Sequence, residues 1–476
     1  MAFTRVDDDG ADRSRFLDRH PLEGDDGRSF ATSSTEFDVD EDRPMIAPPA
    51  DDDATAKTRT SAVPYNLPDY LSFAMLGVAV LWPWNCFLSA AAYFQWRFSG
   101  TPFIRDNFES ATMTTSTVVA MVTMLLLSGR QQDADYSARI SRPLIVNLIN
   151  FAVLSVASIS GSHWADWAFF IYLIISIAFS AMSTASCQNG MFAIANLFDP
   201  IYTQSIMVGQ AVSGVLPSIA QILSVVAVEQ IGTTDADDEA ARSSSAKSSF
   251  VYFVTASLVN AVAYGGFALM RKRQATVICH GALPATGTTA PAVRPHVPLP
   301  LLLRKLWAPA FAVFFTFAVT MMFPVFASTI RSTNFIEGVS SPASWLRPSV
   351  FVPIAFLVWN TGDLLGRVVC GNAKYVMRNP SALTLSTVAR LLFIPALLLC
   401  NVNGEGAAIN SDFLYMVIML AFGLSNGYVT SCGMMVASDY VEEDEKEATG
   451  GFMVLSFNLG LALGSVASFA LVAMLQ

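Results

Sequence analysis

Eleven apolar runs of about 20 residues recur along this chain, at 70–94, 111–128, 143–159, 167–194, 205–227, 250–270, 306–330, 350–370, 383–400, 413–437 and 448–475. A run of that length crosses the ~30 Å hydrocarbon core of a bilayer as a helix, and a helix satisfies its own backbone N–H and C=O groups there. The repetition predicts an all-α integral membrane protein with eleven transmembrane helices. Composition agrees: 53% of the 476 residues are hydrophobic and 14% are charged. A soluble protein with so little polar surface would need helices apolar on every side.

The net charge of −10 is concentrated at one end, because residues 1–59 hold 16 acids and 8 bases. Residues 1–67 read as a disordered acidic cytoplasmic tail, too polar to offset the entropy of ordering. The tail has no apolar core of a signal peptide, so the first span is expected to direct insertion. Twelve Lys and Arg lie in the loops on the tail's side and six in the opposite loops. That bias predicts a cytoplasmic N-terminus and an external or luminal C-terminus. The stretch "RKRQATVICHGALPATGTTAPAVRPHVPLPLLLRK" separates the sixth and seventh runs. It divides the chain into a six-helix bundle at 68–270, a flexible cytoplasmic loop at 271–305 and a five-helix bundle at 306–476.

Several chemistries lack their motifs. The six cysteines show no CxxC or Cys/His spacing, so neither a disulfide framework nor a metal site is expected. No GxxxxGK[ST] is present to bind ATP and no HExxH to bind zinc. No cofactor and no nucleic-acid partner is expected. Small-residue pairs Gly423/Gly427 and Gly460/Gly464 predict close helix packing. Pro83, Pro217, Pro324, Pro353 and Pro395 interrupt spans, which lipid tolerates where neighbours satisfy the freed carbonyls.

The eighth run carries the sharpest signal. In "FLVWNTGDLLGRVV" the residues Phe356, Asn360, Asp363 and Arg367 fall within an arc of about 60° on one helix face. An acid or a base at a helix centre costs ~2.5–3.5 kcal/mol on insertion scales. The stripe must therefore face the bundle interior. It reads either as a packing lock or as a substrate-facing acid oriented by its arginine. Asn360 and Phe356 favour the second, since a lock needs two charges and no amide or aromatic beside them. An ionised carboxylate is acceptor-only and suits paired sugar hydroxyls.

Other polar positions join it. Trp84 and Asn85 follow Pro83 in the first run, and Trp84 lies too deep for an interfacial anchor, a role that fits Trp82 or Trp96. Gln188 and Asn189 sit in "STASCQNGMF" of the fourth run, either as ligand contacts or as interhelical glue. Arg390 in "VARLLFIP" is a base without a sequence partner and reads as structural. An intramembrane aspartyl protease would need two deep aspartates, and Asp363 is one, so an enzyme is not expected.

At these residues the chain resembles the equilibrative nucleoside transporter family. The motifs are "PWNCF", "CQNGMF", "MFP", "NTGDLLGR", "RLLFIPALLLCN", "SNGYVTS" and "ATGGFMVLSFNLGLALGS", in that order from residue 70 to the C-terminus. The resemblance implies a major-facilitator-like fold around a midplane cavity and alternating-access transport of nucleosides, in some members nucleobases. Trp84 and Phe323 would flank the ligand, and Gln188 would bond the base. Asp363 and Arg367 would hold the ribose, with Asn360 and Phe356. Gly362 stands where the family often has a bulky residue and Trp82 where Leu is common, which bears on pocket size. A monomer carrying adenosine- and uridine-type substrates by facilitated diffusion is expected, with proton symport through Asp363 as the alternative. "EDRPMI" at 41–46 is a weak acidic dileucine-type signal and favours an endosomal or vacuolar membrane.

Overall fold

The computed structural model describes residues 65–131, 134–160, 164–230, 238–275, 297–335 and 344–475. All of them belong to the second of two units, Met1–Ala50 and Asp51–Gln476. The acidic tail through residue 64, with its sorting-type motif, and residues 276–296 of the central loop lie outside the described residues.

Before the central loop come α1 (Leu67–Ser89), α2 (Ala91–Arg97), α3 (Pro102–Gly129), α4 (Tyr136–Ser160), α5 (Asp166–Ala195), α6 (Pro200–Gln230) and α7 (Asp238–Arg273). After it come α8 (Leu299–Lys305), α9 (Trp307–Thr320), α10 (Phe323–Thr329), α11 (Pro348–Val369), α12 (Pro380–Ala389), α13 (Phe393–Leu398), α14 (Asp412–Val436) and α15 (Lys446–Leu475). Ten helical stretches among the described residues are long and apolar enough to cross a membrane. The 31-residue α6 covers the run at 205–227 as well. The chain is an all-helical, multi-pass membrane protein.

Two runs are broken helices. A proline cannot donate to the carbonyl four residues back. Accordingly α9 ends at Thr320, four residues before Pro324, and α10 restarts at Phe323. In the ninth run Pro395 leaves the carbonyl of Leu391 without its helical donor, and Arg390–Leu392 tightens into a 3-10 turn between α12 and α13. Pro83, Pro217 and Pro353 are instead carried inside the continuous helices α1, α6 and α11.

Glycines set the closest helix pairs. A Cβ on Gly362 or Gly366 of α11 would strike the carbonyl of Leu420 or Leu424 on α14. On α14, Gly423 and Gly427 meet the carbonyls of Trp359 and Asp363 in return. Gly77 of α1 and Gly209 of α6 repeat the device in the first half of the chain, against the carbonyls of Ile206 and Ala74. Gly460 and Gly464 bring α15 onto Phe314 and Ala318. Gly362 thus serves the α11–α14 contact, and its bearing on pocket size, expected above, is not what its surroundings show.

Helices from before and after the loop meet directly. α6 packs on α11 and α14, while α15 packs on α5 and α3. The largest apolar cluster draws on both sides, with Met191, Phe192 and Tyr202 beside Val313, Met434 and Phe452.

Candidate functional site

The α11 stripe lies between α14 and α6, with Asp363 and Arg367 buried and Phe356 and Asn360 partly buried. Asp363 and Arg367 are each 4% exposed. Arg367 Nε donates to Asp363 Oδ2 at 2.9 Å, and Nη2 donates to Oδ1 at 3.4 Å. From α14, Asn426 Nδ2 donates to Asp363 Oδ1 at 2.6 Å. Arg367 also reaches across to α6: Nη1 donates to the Met207 carbonyl at 2.9 Å and to Gln210 Oε1 at 3.4 Å. Gln204 of α6 returns a bond from Nε2 to the Arg367 carbonyl at 2.9 Å. The pair therefore ties α11 to both neighbours. A carboxylate offers about four acceptor positions. Three are taken here, which leaves Oδ2 one more.

The sequence placed this stripe on the interior of the bundle, and it is there. Its charged end is enclosed because α6 lies over it, while Phe356 and Asn360 stay partly accessible.

The stripe continues toward the start of α11. Asn360 Nδ2 donates to the Phe356 carbonyl at 2.9 Å and to Ser218 Oγ of α6 at 3.1 Å. Gly214 of α6 faces Asn360 Oδ1 so closely that a Cβ would meet it at 2.5 Å. Phe323 of α10 stacks on Trp359 at 4.3 Å between ring centroids and meets Phe356 edge-on at 4.8 Å. Phe323, Phe356, Asn360, Asp363 and Arg367 thus form one contiguous surface of aromatic, amide and charged groups.

Trp84 and Gln188 stand apart from it. Among the described residues no hydrogen bond or ring contact joins either to the stripe. Trp84 is half-buried with no ring partner among the described residues, while its neighbour Asn85 donates to the Ser213 carbonyl at 2.6 Å, next to Gly214. Gln188 is 4% exposed, and its amide makes no hydrogen bond among the described residues. The adjacent Asn189 is spent, accepting from Arg139 Nη1 at 2.7 Å. Trp82 is also engaged, donating to Thr255 Oγ1 of α7 at 3.1 Å.

Arg390, without a partner in the sequence reading, has several. Its Nη2 donates to Thr320 Oγ1 at 2.9 Å and to Asn426 Oδ1 at 3.4 Å. Its Nη1 donates to the Phe422 carbonyl at 3.2 Å and to Ser425 Oγ. The guanidinium lies 4.9 Å from the Phe422 ring centroid.

Sequence reasoning missed Asn426, Gln204, Gln210 and Trp359. Asn426 was findable, since it lies between Gly423 and Gly427 on a face that packing predicts to be inside. Gln210 within the run at 205–227, with Gln204 at its edge, was a signal of the same kind. Among the described residues no three His, Cys, Asp or Glu side chains gather as a metal site. The five described cysteines are free and buried.

The two sets of membrane helices that meet at this buried charged pair have a major-facilitator-like fold. Over 86% of the chain, and 88% of its counterpart, the fold matches the solved structure of the major facilitator superfamily proton:xylose symporter XylE, with a TM-score of 0.55 and 10% identity. That likeness is one of fold. The family model for nucleoside transporters matches residues 174–290 and 285–473, and the chain belongs to that family, whose members are transporters and not enzymes. Nucleoside transporter FUN26 of Saccharomyces cerevisiae is 29% identical over 446 residues, covering 85% of this chain and 84% of that protein. Equilibrative nucleoside transporter 1 of Homo sapiens is 27% identical over 460 residues, covering 84% of this chain and 96% of that protein.

Proposed function

We propose that this chain carries nucleosides of the adenosine and uridine type across its membrane by alternating access, as a monomer and down the substrate gradient. The bundles at 68–270 and 306–476 rock about a midplane site between them. The observation that carries this reading is the Asp363–Arg367 pair, held between α11 and α6 with one acceptor position still open on the carboxylate. One ribose hydroxyl can donate to that position. The apolar faces of Phe323 and Phe356 suit a base ring, and the unspent amide of Gln188 matches its donor and acceptor edge. Trp84 completes the wall of the site.

Facilitated diffusion is favoured over proton symport because the described buried carboxylates are already engaged. Asp363 is held by Arg367 and Asn426. Asp69, at the start of α1, accepts from Arg273 Nε at 3.0 Å and from Gln274 Nε2 at 2.9 Å. The test is uptake of radiolabelled uridine and adenosine into liposomes holding the purified protein. Uptake is expected to be saturable, indifferent to an imposed pH gradient, and abolished in Asp363→Ala protein that inserts normally. A gradient that drives accumulation would make the carrier a symporter. Parent-like flux in the variant would remove Asp363 from the site. An endosomal or vacuolar membrane is the proposed location, and a fluorescent fusion imaged in the native cell tests it.

A further inference from the structure

We propose that Arg390 and Asn426 are positioning residues for substrate recognition: Arg390 fixes the orientation of the Asn426 amide, and that amide fixes the carboxylate of Asp363. The inference rests on the reading of Asp363 as the ribose acceptor.

The two ends of an asparagine amide have nearly the same shape and opposite hydrogen-bonding character. What decides the orientation is which neighbours donate and which accept. On one side of Asn426 stand Arg390 Nη2 at 3.4 Å and Thr320 Oγ1 at 2.6 Å. Arginine can only donate. The threonine hydroxyl accepts from Arg390 Nη2 at 2.9 Å, and its one proton has two acceptors in reach, the Thr316 carbonyl at 2.8 Å and Asn426 Oδ1 at 2.6 Å. Arg390 is thus the neighbour that calls for the amide oxygen, because the threonine can donate elsewhere. The amide nitrogen is left to face the other way, toward Asp363 Oδ1 at 2.6 Å.

That contact has a consequence for the carboxylate. Arg367 alone holds Asp363 unevenly, at 2.9 Å on Oδ2 and 3.4 Å on Oδ1. The Asn426 bond secures Oδ1 and leaves the open acceptor position on Oδ2. One oxygen is thus anchored to the scaffold and the other is turned to the substrate.

The position of Arg390 supports a role beyond packing. It is 1% exposed and sits in the 3-10 turn that breaks the ninth run, not on a regular helix face. Its bonds reach α9 and α14, so three chain segments converge on the amide that touches Asp363. Removing Arg390 takes away the donors that hold the far side of the Asn426 amide, so its bond to the carboxylate is less firmly placed.

Uptake of uridine and of 2′,3′-dideoxyuridine by the full-length protein in liposomes tests this. The dideoxy compound lacks the hydroxyl that Asp363 would receive. The variants are Arg390→Met, which keeps the side-chain bulk without donors, and Asn426→Leu, which needs no buried charge removed. Each variant is read as a ratio of the two fluxes, so the amount inserted cancels. Loss of a hydrogen bond to a charged group is expected to lower uridine flux roughly tenfold. Dideoxyuridine flux should stay within about twofold of the parent, as expected if the lost hydrogen bond belongs to the hydroxyls alone. Arg390→Lys, which retains a donor, should recover part of the ratio. Equal losses on both substrates would overturn the positioning role and make the cluster a packing element. A parent that takes up both compounds equally would remove the ribose assignment beneath it, and a parent that takes up neither would remove the nucleoside reading itself.

Discussion

Gln188 and Asn189 are neighbours on α5 with opposite uses. Asn189 accepts from Arg139 and so ties α5 to α4, whereas Gln188 is buried with its amide unspent. The polar atoms of the Gln188 amide are not fully enclosed, so water can satisfy them and a ligand can take its place. Replacing Gln188 by Leu should therefore leave the melting temperature in detergent unchanged or slightly higher. The same change should raise the KM for nucleosides by roughly tenfold, the value of a lost hydrogen bond. Asn189→Leu should instead cost about 1 kcal/mol of stability, since it removes the acceptor that the half-buried Arg139 reaches at 2.7 Å. A fall in melting temperature for Gln188→Leu matching that of Asn189→Leu would show Gln188 to be scaffold. At this scale the sequence was informative where periodicity alone decides. Phe356, Asn360, Asp363 and Arg367 share a face because 3.6 residues make a turn. The partners of Arg390 were not legible, because Thr320 and Asn426 lie 70 and 36 residues away and no local pattern brings them together.

Helices in lipid gain little from burying apolar side chains against one another, so backbone approach and polar contacts decide which pairs form. α11 and α14 show this, with Gly362 and Gly366 opposing Gly423 and Gly427. The packing glycines at 423, 427, 460 and 464 were legible as small-xxx-small pairs, whereas Gly362 was read for pocket size and proves to face α14. Helix breaks were less legible, because hydropathy averages over a turn and cannot tell a 3-10 turn from an α-turn. Prolines alone do not mark breaks either, since Pro83, Pro217 and Pro353 are absorbed within helices while Pro324 and Pro395 are not. Gly427→Ala places a methyl group against the Asp363 carbonyl and within 3.1 Å of Arg367 Cγ. It should cost about 1–3 kcal/mol as overpacking and also displace the carboxylate. Gly129→Ala, at the end of α3 with nothing within 4 Å, is the control and should be neutral. Thermal unfolding of both proteins in one detergent checks the difference; equal melting temperatures would mean that α11 and α14 are not packed through their glycines.

The contacts that bridge the two halves of the chain gather toward one end of the bundle. The end of α5 meets the start of α15, where Asn196 Nδ2 donates to the Lys446 carbonyl at 3.3 Å and Gly450 abuts the Phe192 carbonyl. The start of α6 meets the end of α11, through Gln204, Met207 and Arg367. α5 ends at Ala195 and α6 starts at Pro200, so these contacts share an end. On the orientation predicted from loop charge, that end is cytoplasmic. A carrier that works by rocking must break these contacts once per cycle, because the substrate leaves through the side they close. Contacts inside either half can stay intact throughout. A protein carrying both Asn196→Cys and Lys446→Cys, joined by a short bifunctional thiol reagent with a cleavable bridge, should lose nucleoside flux and regain it when the bridge is reduced. Either cysteine alone, treated in the same way, should transport like the parent. The cross-link should leave the affinity for a nucleoside added on the opposite side within about twofold, because it holds a state the unmodified protein already visits. Flux that survives full cross-linking would mean that this end does not open during transport. Rocking about the α6–α11 contact would then be excluded, even with Asp363 still required.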